Sequence, residues 1–386
     1  PRATPELEVP TLPPDPMPDK YIEAKPLGPI ARFGRFDILG LVASGGMADL
    51  FLARESTEGD SASRHTIIKV VRGEHSESSE FAKMFLNEGR LAMRLSHPNI
   101  CTVYECGREN GRFFMAMEYI HGRTLRDILV RAGERNETLE IPVILKVFSI
   151  IAEALEFAHR ARDARGVALD IVHRDVSPQN IMVRYDGVVK LLDFGVAKAA
   201  GSGHKTEAGA LKGKFSYMSP EQAAADPVDS RADIFSLGVV LFEAISGRRL
   251  FHRKAQYDTL KSILENDPPP LKTYRDDIPE GLDEILGKAL EKDVGDRYAR
   301  AADLQHDLEK LLAKSGEVVA TSRTARLMDR LFATSAQATP VLDTSPDVTN
   351  RFQPWAEPIK PGRPWLLIGA ALLNVGILAI GAEIWA

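Results

Sequence analysis

The hydrophobic and polar positions change period about a third of the way along the chain. Phe36 to Leu52 holds two alternating runs on either side of Ser44-Gly45-Gly46, which predicts a strand, a glycine turn and a second strand. Arg64 to Val71 is a β-branched run with one charge, Lys69, set between Ile67-Ile68 and Val70-Val71. Phe113 to Ile120 predicts a further strand, broken by His121-Gly122. Between them, Phe81, Phe85, Ala92 and Leu95 fall at helical spacing within Glu80 to Leu95. Beyond residue 120 the helical period dominates. Pro142 opens an amphipathic helix to about Arg162, a position where proline costs no hydrogen bond. Asp233 to Glu243 is nearly all apolar and predicts a buried helix. Leu282 to Leu290 and Ala301 to Leu312 read as closing helices. One interruption stands out. Ile181 to Leu192 reads as two short strands joined at Asp186-Gly187, a strong hairpin signal. The pattern predicts an α+β chain with a small β-rich part (33–120) and a larger helical part (121–314).

The two ends read differently. Residues 1–30 hold nine prolines, too many for a packed core, so 1–32 is expected to be a disordered proline-rich arm. Residues 315–363 are rich in Ser, Thr, Ala and Pro and read as a linker with one helical patch near Thr324 to Phe332. Residues 364–386 then contain an apolar run from Trp365 to Trp385. Its 21 residues would span about 31 Å as a helix, one bilayer core. A tryptophan at each end and Lys360 and Arg363 in front predict a single-pass inner-membrane helix with the folded part on the cytoplasmic side.

Composition narrows the chemistry only slightly. A net charge of −5 gives no basic field for nucleic acid. The two cysteines, Cys101 and Cys106, are too few for a disulfide framework and read as buried thiols in a reducing compartment.

The chemistry-bearing stretch is His173-Arg174-Asp175-Val176-Ser177-Pro178-Gln179-Asn180, followed by Leu192-Asp193-Phe194-Gly195. A hairpin between them brings Asn180 at its entry beside Asp193 at its exit. An amide oxygen and a carboxylate meeting there suit Mg²⁺, with phosphate supplying its other ligands. Together with the Gly-rich turn, the strand lysine and Ser219-Pro220-Glu221, these motifs in this order resemble the bacterial, eukaryotic-type (Hanks-type) Ser/Thr protein kinases over roughly residues 36 to 314.

The resemblance implies a bilobal kinase fold, ATP and Mg²⁺ as substrate and cofactor, and proteins as phosphate acceptors. It implies that Asp175 accepts the proton of the acceptor hydroxyl, Asn180 and Asp193 hold Mg²⁺, and Lys69, paired with Glu88, binds the α- and β-phosphates. Val42, Ala43, Ser44, Gly45, Gly46 and Leu50 would form the flap over ATP. Ile67 and Met117 would line the adenine pocket, Met182 would lie below the ring, and Glu118 and Ile120 would offer backbone groups to its edge. Glu221 would pair with Arg297, and Asp233 would tie down the catalytic loop. Arg174 beside Asp175 implies an activation loop that docks on a cation after phosphorylation, with Thr206 the first candidate and two copies acting in trans.

Six positions depart from the pattern, among them a bulky Ile67 where the family has alanine and Ser219 in place of the alanine of A-P-E. Ala43 and Ala48 replace two flap glycines, and taken alone Ser44-Gly45-Gly46 is a poor motif that reads more readily as a plain hairpin. Ser177 stands where the family has a lysine, and Lys214 where it has a threonine. Either these two have exchanged roles, so that Lys214 supplies the charge at the γ-phosphate, or Lys214 is a solvated loop lysine and catalysis is impaired. The rival functional reading is a membrane-tethered pseudokinase acting as an interaction module.

Overall fold

The computed structural model describes residues 29–45, 47–55, 64–72, 79–194, 214–333 and 342–345. The arm through residue 28, Gly46, Thr206, the side chain of Lys214 and the apolar span 364–386 lie outside the described residues. Among the described residues no helix is long and apolar enough to cross a membrane.

Six strands build the first lobe: β1 (Ala31–Phe33), β2 (Phe36–Ser44), β3 (Ala48–Glu55), β4 (His65–Val71), β5 (Val103–Glu109) and β6 (Arg112–Glu118). They form one sheet in the order β1-β2-β3-β4-β6-β5, antiparallel at every pairing. The sheet starts at Ala31, so the expected arm gives way to structure before residue 32. The reason is local: Ala31 and Phe33 bury their side chains against Phe36, Ile38 and Phe114. Strand periodicity sorts β4 into two faces. Ile68 and Val70 point into this core, while Ile67, Lys69 and Val71 share the opposite face. Helix α1 (Ser79–Ala92) packs on that side against β5 and β6.

The second lobe is helical: α2 (Leu125–Glu134), α3 (Ile141–His159), α4 (Pro220–Ala224), α5 (Arg231–Ser246), α6 (Gln256–Glu265), α7 (Leu282–Ala289) and α8 (Ala301–Lys314). A small sheet of β7 (Gly122–Thr124), β8 (Ile181–Arg184) and β9 (Val189–Leu191) sits among them. Helix α5 is buried from Ala232 to Ile245, which is why its sequence lacks a polar face. It packs against α3 and α7, while α8 closes over α3. Cys101 is buried and its thiol is pushed up to about 12, chiefly by burial, so it is an inert core group.

The expected linker is folded over its first part. Helix α9 (Thr321–Phe332) buries Thr324, Leu327, Met328, Leu331 and Phe332 against α2 and β8. Arg323 pairs with Glu140 at 2.7 Å, Arg330 with Glu137 at 3.2 Å, and the Arg135 guanidinium donates to Arg330 O. The helix starts directly over the β8–β9 turn. A Cβ on Gly187 would lie 2.2 Å from Thr321 O, and Gly187 has φ +88°, so glycine is required there twice over.

If α9 is part of the domain, Met328→Ala should lower stability by about 2–5 kcal/mol in urea unfolding, the usual cost of emptying a core methionine site. A change within about 0.5 kcal/mol would mean that α9 contributes nothing to the fold.

Candidate active site

The site is assembled from α5 outward. Asp233, wholly buried in the first turn of that helix, accepts hydrogen bonds from the backbone N–H groups of His173 (2.8 Å) and Arg174 (2.7 Å). His159 Nε2, at the end of α3, lies 2.8 Å from the same carboxylate. Burial works to raise the Asp233 carboxyl, but His159, His173 and the backbone donors outweigh it and hold it below the usual range. With its N–H turned inward, Arg174 takes φ +63°, an uncommon backbone conformation for a residue with a side chain. His173 extends the chain of contacts. Its Nδ1 accepts from Asp175 N–H (3.2 Å), so Nε2 carries the proton and donates to Leu192 O (2.7 Å). One imidazole therefore joins the Asp175 loop to the segment leading into Asp193.

The β8–β9 hairpin closes the other side. Ile181 pairs with Leu191, and Leu192 N–H donates to Asn180 O at 2.8 Å. Asn180 is buried, and its Nδ2 donates to Asp175 O (2.7 Å) and Asp175 Oδ2 (3.1 Å). That leaves the Asn180 Oδ1 as an acceptor for a cation. Asp193, at φ +40°, forms an ion pair with Lys69 Nζ at 3.2 Å. The Lys69 ion pair thus runs to Asp193, and Glu88, buried on α1, reaches Lys69 through its charge. Burial lowers the Lys69 ammonium, but Asp193, Glu88 and Asp175 together hold it above its ordinary value, so it is charged at neutral pH. Among the described residues no three His, Cys, Asp or Glu side chains converge on one ion. The donor set at this point, one amide oxygen and one carboxylate, fits a Mg²⁺ ion that phosphate oxygens complete.

The family model described as protein kinase domain matches residues 36–308. This chain belongs to the protein kinase family. The kinase domain is 39% identical over 282 residues to the tyrosine-protein kinase MasK of Myxococcus xanthus, covering 73% of this chain and 44% of MasK. It is 32% identical to the serine/threonine-protein kinase PrkC of Bacillus subtilis, covering 72% of this chain and 40% of PrkC. To PknB of Mycobacterium tuberculosis it is 34% identical, covering 72% of this chain and 43% of PknB. The chain therefore spans less than half the length of these relatives. In fold it is similar to the crystal structure of the M. tuberculosis PknI kinase domain, with 24% identity, a TM-score of 0.56, and coverage of 75% of this chain and 100% of that one.

The kinase domain's flap is closed on itself. Ala43 pairs with Leu50 and Ser44 with Asp49. Ser44 Oγ donates to Asp49 Oδ1 (2.6 Å), and Gly45 N–H donates to Ala48 O (3.0 Å). Val42 is exposed on this flap and Leu50 is half-buried. Beneath, Ile67, Met117, Ile120 and Met182 belong to one apolar cluster with Val71 and Leu192, an apolar lining of the kind an adenine ring occupies.

The Ser219 segment of the kinase domain is locked to the catalytic loop. Ser219 caps α4 reciprocally with Gln222, whose Nε2 donates to Arg174 O at 3.1 Å. Glu221 and Arg297 form a buried two-pronged pair at 2.8 and 2.7 Å. Arg297 also donates to the carbonyls of Glu291, Lys292 and Arg231, so its remaining donors are satisfied. Ser177 is buried, and among the described residues its Oγ has no hydrogen-bond partner.

Sequence reasoning missed two contributors. Glu118 entered only for its backbone, yet its side chain accepts from Lys190 Nζ (2.8 Å) and Thr102 N–H (3.2 Å) in a buried pair. The signal was a lysine between Val189 and Leu191 in a strand that otherwise reads as apolar. His159, the second partner of Asp233, gave no signal, because the last turn of a helix is an ordinary place for histidine.

Burial tends to raise the Glu221 carboxyl, but the Arg297 hydrogen bonds and charge hold it below its usual 4.5. Such a carboxylate stabilises the fold only while ionised. Arg297→Ala should therefore cost about 3–5 kcal/mol at neutral pH, and its gap from wild type should narrow as pH falls below about 4.5. Urea titrations at several pH values measure this; a gap that stays constant into acid would contradict it.

Proposed function

We propose that this chain is an ATP- and Mg²⁺-dependent protein kinase that phosphorylates serine or threonine hydroxyls, tethered to the inner face of a membrane by residues 364–386. The observation that carries the catalytic reading is the intact centre: Lys69 on Asp193 at 3.2 Å, with Asn180 bonded to Asp175 beside it. A pseudokinase that had lost its chemistry would have no reason to keep all of these side chains in one place. Lys69 binds the α- and β-phosphates. Asn180 and Asp193 hold the metal, which neutralises charge on the phosphate oxygens when bound. Asp175 orients the acceptor hydroxyl and takes its proton as the acceptor oxygen bonds to the γ-phosphorus and the bond to the ADP oxygen breaks. Phosphoryl transfer asks little covalent chemistry of the protein, so positioning of these groups is most of the catalysis.

Lys214 and Ser177 complete the reading by exchange of roles. Lys214 brings an ammonium toward Asp175 and the γ-phosphate, and Ser177 supplies the hydroxyl. The buried Ser177 Oγ, without a partner among the described residues, supports this, because a buried hydroxyl is costly unless some group satisfies it. Thr206 is the first acceptor in autophosphorylation between two copies. The membrane reading rests on the 21-residue apolar run between Trp365 and Trp385. On the acceptor, the relatives differ by name: PrkC and PknB are named serine/threonine kinases and MasK a tyrosine kinase. Acceptance by tyrosine is therefore the second reading.

Incubation with labelled ATP and Mg²⁺ followed by phosphoamino-acid analysis separates these readings. The expected result is label on serine and threonine, reduced about 10²–10⁴-fold in Asp175→Asn. Label confined to tyrosine would favour the second reading, and no label in the wild type would favour the pseudokinase. For the exchange of roles, the Ser177→Lys, Lys214→Thr double variant should retain more activity than the product of the two single losses. Strict multiplicativity would remove Lys214 from the site.

A further inference from the structure

Strand β2 has an edge that the sheet leaves open. Strand β1 pairs with it from Phe36 to Ile38, so from Gly40 onward that side of β2 has no strand of the lobe beside it among the described residues. An open edge of this kind is a template for an added strand. Here a segment from beyond the kinase domain takes it. Leu41 N–H donates to Asp343 O (3.1 Å) and Asp343 N–H donates to Leu41 O (3.0 Å), an antiparallel bridge. Leu342 lies flat on the strand. A Cβ added to Gly40 would sit 2.6 Å from Leu342 Cβ and 3.2 Å from Thr344 Cγ2, and its nearest neighbours are all atoms of this segment. Gly40 is thus the gap in β2 that admits Leu342. Two residues further along the same strand, the chain enters the flap at Val42, Ala43 and Ser44.

The other end of the same stretch is fixed to the opposite lobe. Helix α9 is seated on α2 and β8 by five buried side chains and starts over the turn of the hairpin that carries Asn180 and Asp193 at its base. The post-domain chain therefore holds the helical lobe at 321–332 and the β-rich lobe at 342–345.

We propose that residues 342–345 are a latch: the chain's own C-terminal extension adds a strand to the free edge of β2 and, anchored through α9, holds the flap down over the nucleotide phosphates. The mode is strand addition, in which main-chain hydrogen bonds give affinity and a side-chain pocket gives register. The pocket is the space above Gly40 and its occupant is Leu342. The effect on nucleotide rests on the kinase reading above; the pairing itself does not.

Amide hydrogen exchange on the full chain tests the pairing, with Gly40→Ala as a wedge and Asp343→Pro to remove a donor outside the domain. Exchange at Leu41 should rise by about tenfold or more in both variants, the scale set by losing paired backbone hydrogen bonds, while β3 and β4 keep their protection. The dissociation constant of a non-hydrolysable ATP analogue with Mg²⁺ should weaken by severalfold in the same variants. Leu41 exchange that is already fast in the wild type, or unchanged in both variants, overturns the latch. Faster exchange with unaltered nucleotide affinity overturns its hold on the flap. A wild type that binds no nucleotide counts against the kinase reading, and the exchange result still decides the pairing.

Discussion

A carboxylate with no access to water organises the catalytic half of this molecule. Asp233 projects from α5, a helix buried almost throughout, and an ion there is tolerable only if hydrogen-bond donors meet both of its oxygens. Two backbone N–H groups and His159 meet them. The cost of desolvating the charge thereby becomes a constraint on the catalytic loop. Arg174 must turn through a positive φ, and Asp175 is delivered to one position beside Asn180. His173 then transmits that position to Leu192 and the approach to Asp193. A helix buried almost throughout therefore sets the geometry of the loop.

The second theme is how the two lobes are joined. Behind the cleft, Cys101 N–H donates to Leu191 O and Leu191 N–H donates to Asn99 O, so the segment after α1 runs along β9. The buried Lys190–Glu118 pair fastens the same strand to the end of β6. In front, Lys69 on Asp193 is the link across the site itself. The extension beyond α8 adds a third connection, from α9 on the helical lobe to β2 on the other. Each polar link is a handful of contacts across a groove, beside one apolar cluster in which Ile67, Val71 and Met117 of the first lobe meet Met182 and Leu192 of the second. Such joints open and close more readily than the lobes unfold.

Much of this was legible in the chain because the signals are short-range. The β8–β9 hairpin follows from Asp186-Gly187 between apolar runs, and α5 from a nearly all-apolar stretch with no polar face. The order of the site motifs did the rest. What stayed hidden depends on partners far away in sequence. Residues 321–332 carry Leu327, Met328, Leu331 and Phe332 on one helical stripe, but five other residues are charged or hydroxyl-bearing at the start of the segment, and its docking face belongs to α2 and β8, about 140 to 200 positions earlier. Leu342 over Gly40 is more distant still: neither end reads as special until the sheet edge exists. Lys190 is a lysine among apolar neighbours that the sequence reading passed over, and only the fold names Glu118 as its partner.

The central claim is that Asp233 acts through position alone, touching neither nucleotide nor acceptor. The most direct measurement is turnover and nucleotide affinity in Asp233→Asn, which keeps the shape and removes the charge that holds His159 and the two N–H groups. The account predicts a folded protein that binds the Mg²⁺–ATP analogue as wild type does and turns over about 10²-fold more slowly, the scale of a small displacement of a catalytic group. Wild-type turnover in a folded Asp233→Asn variant would contradict it.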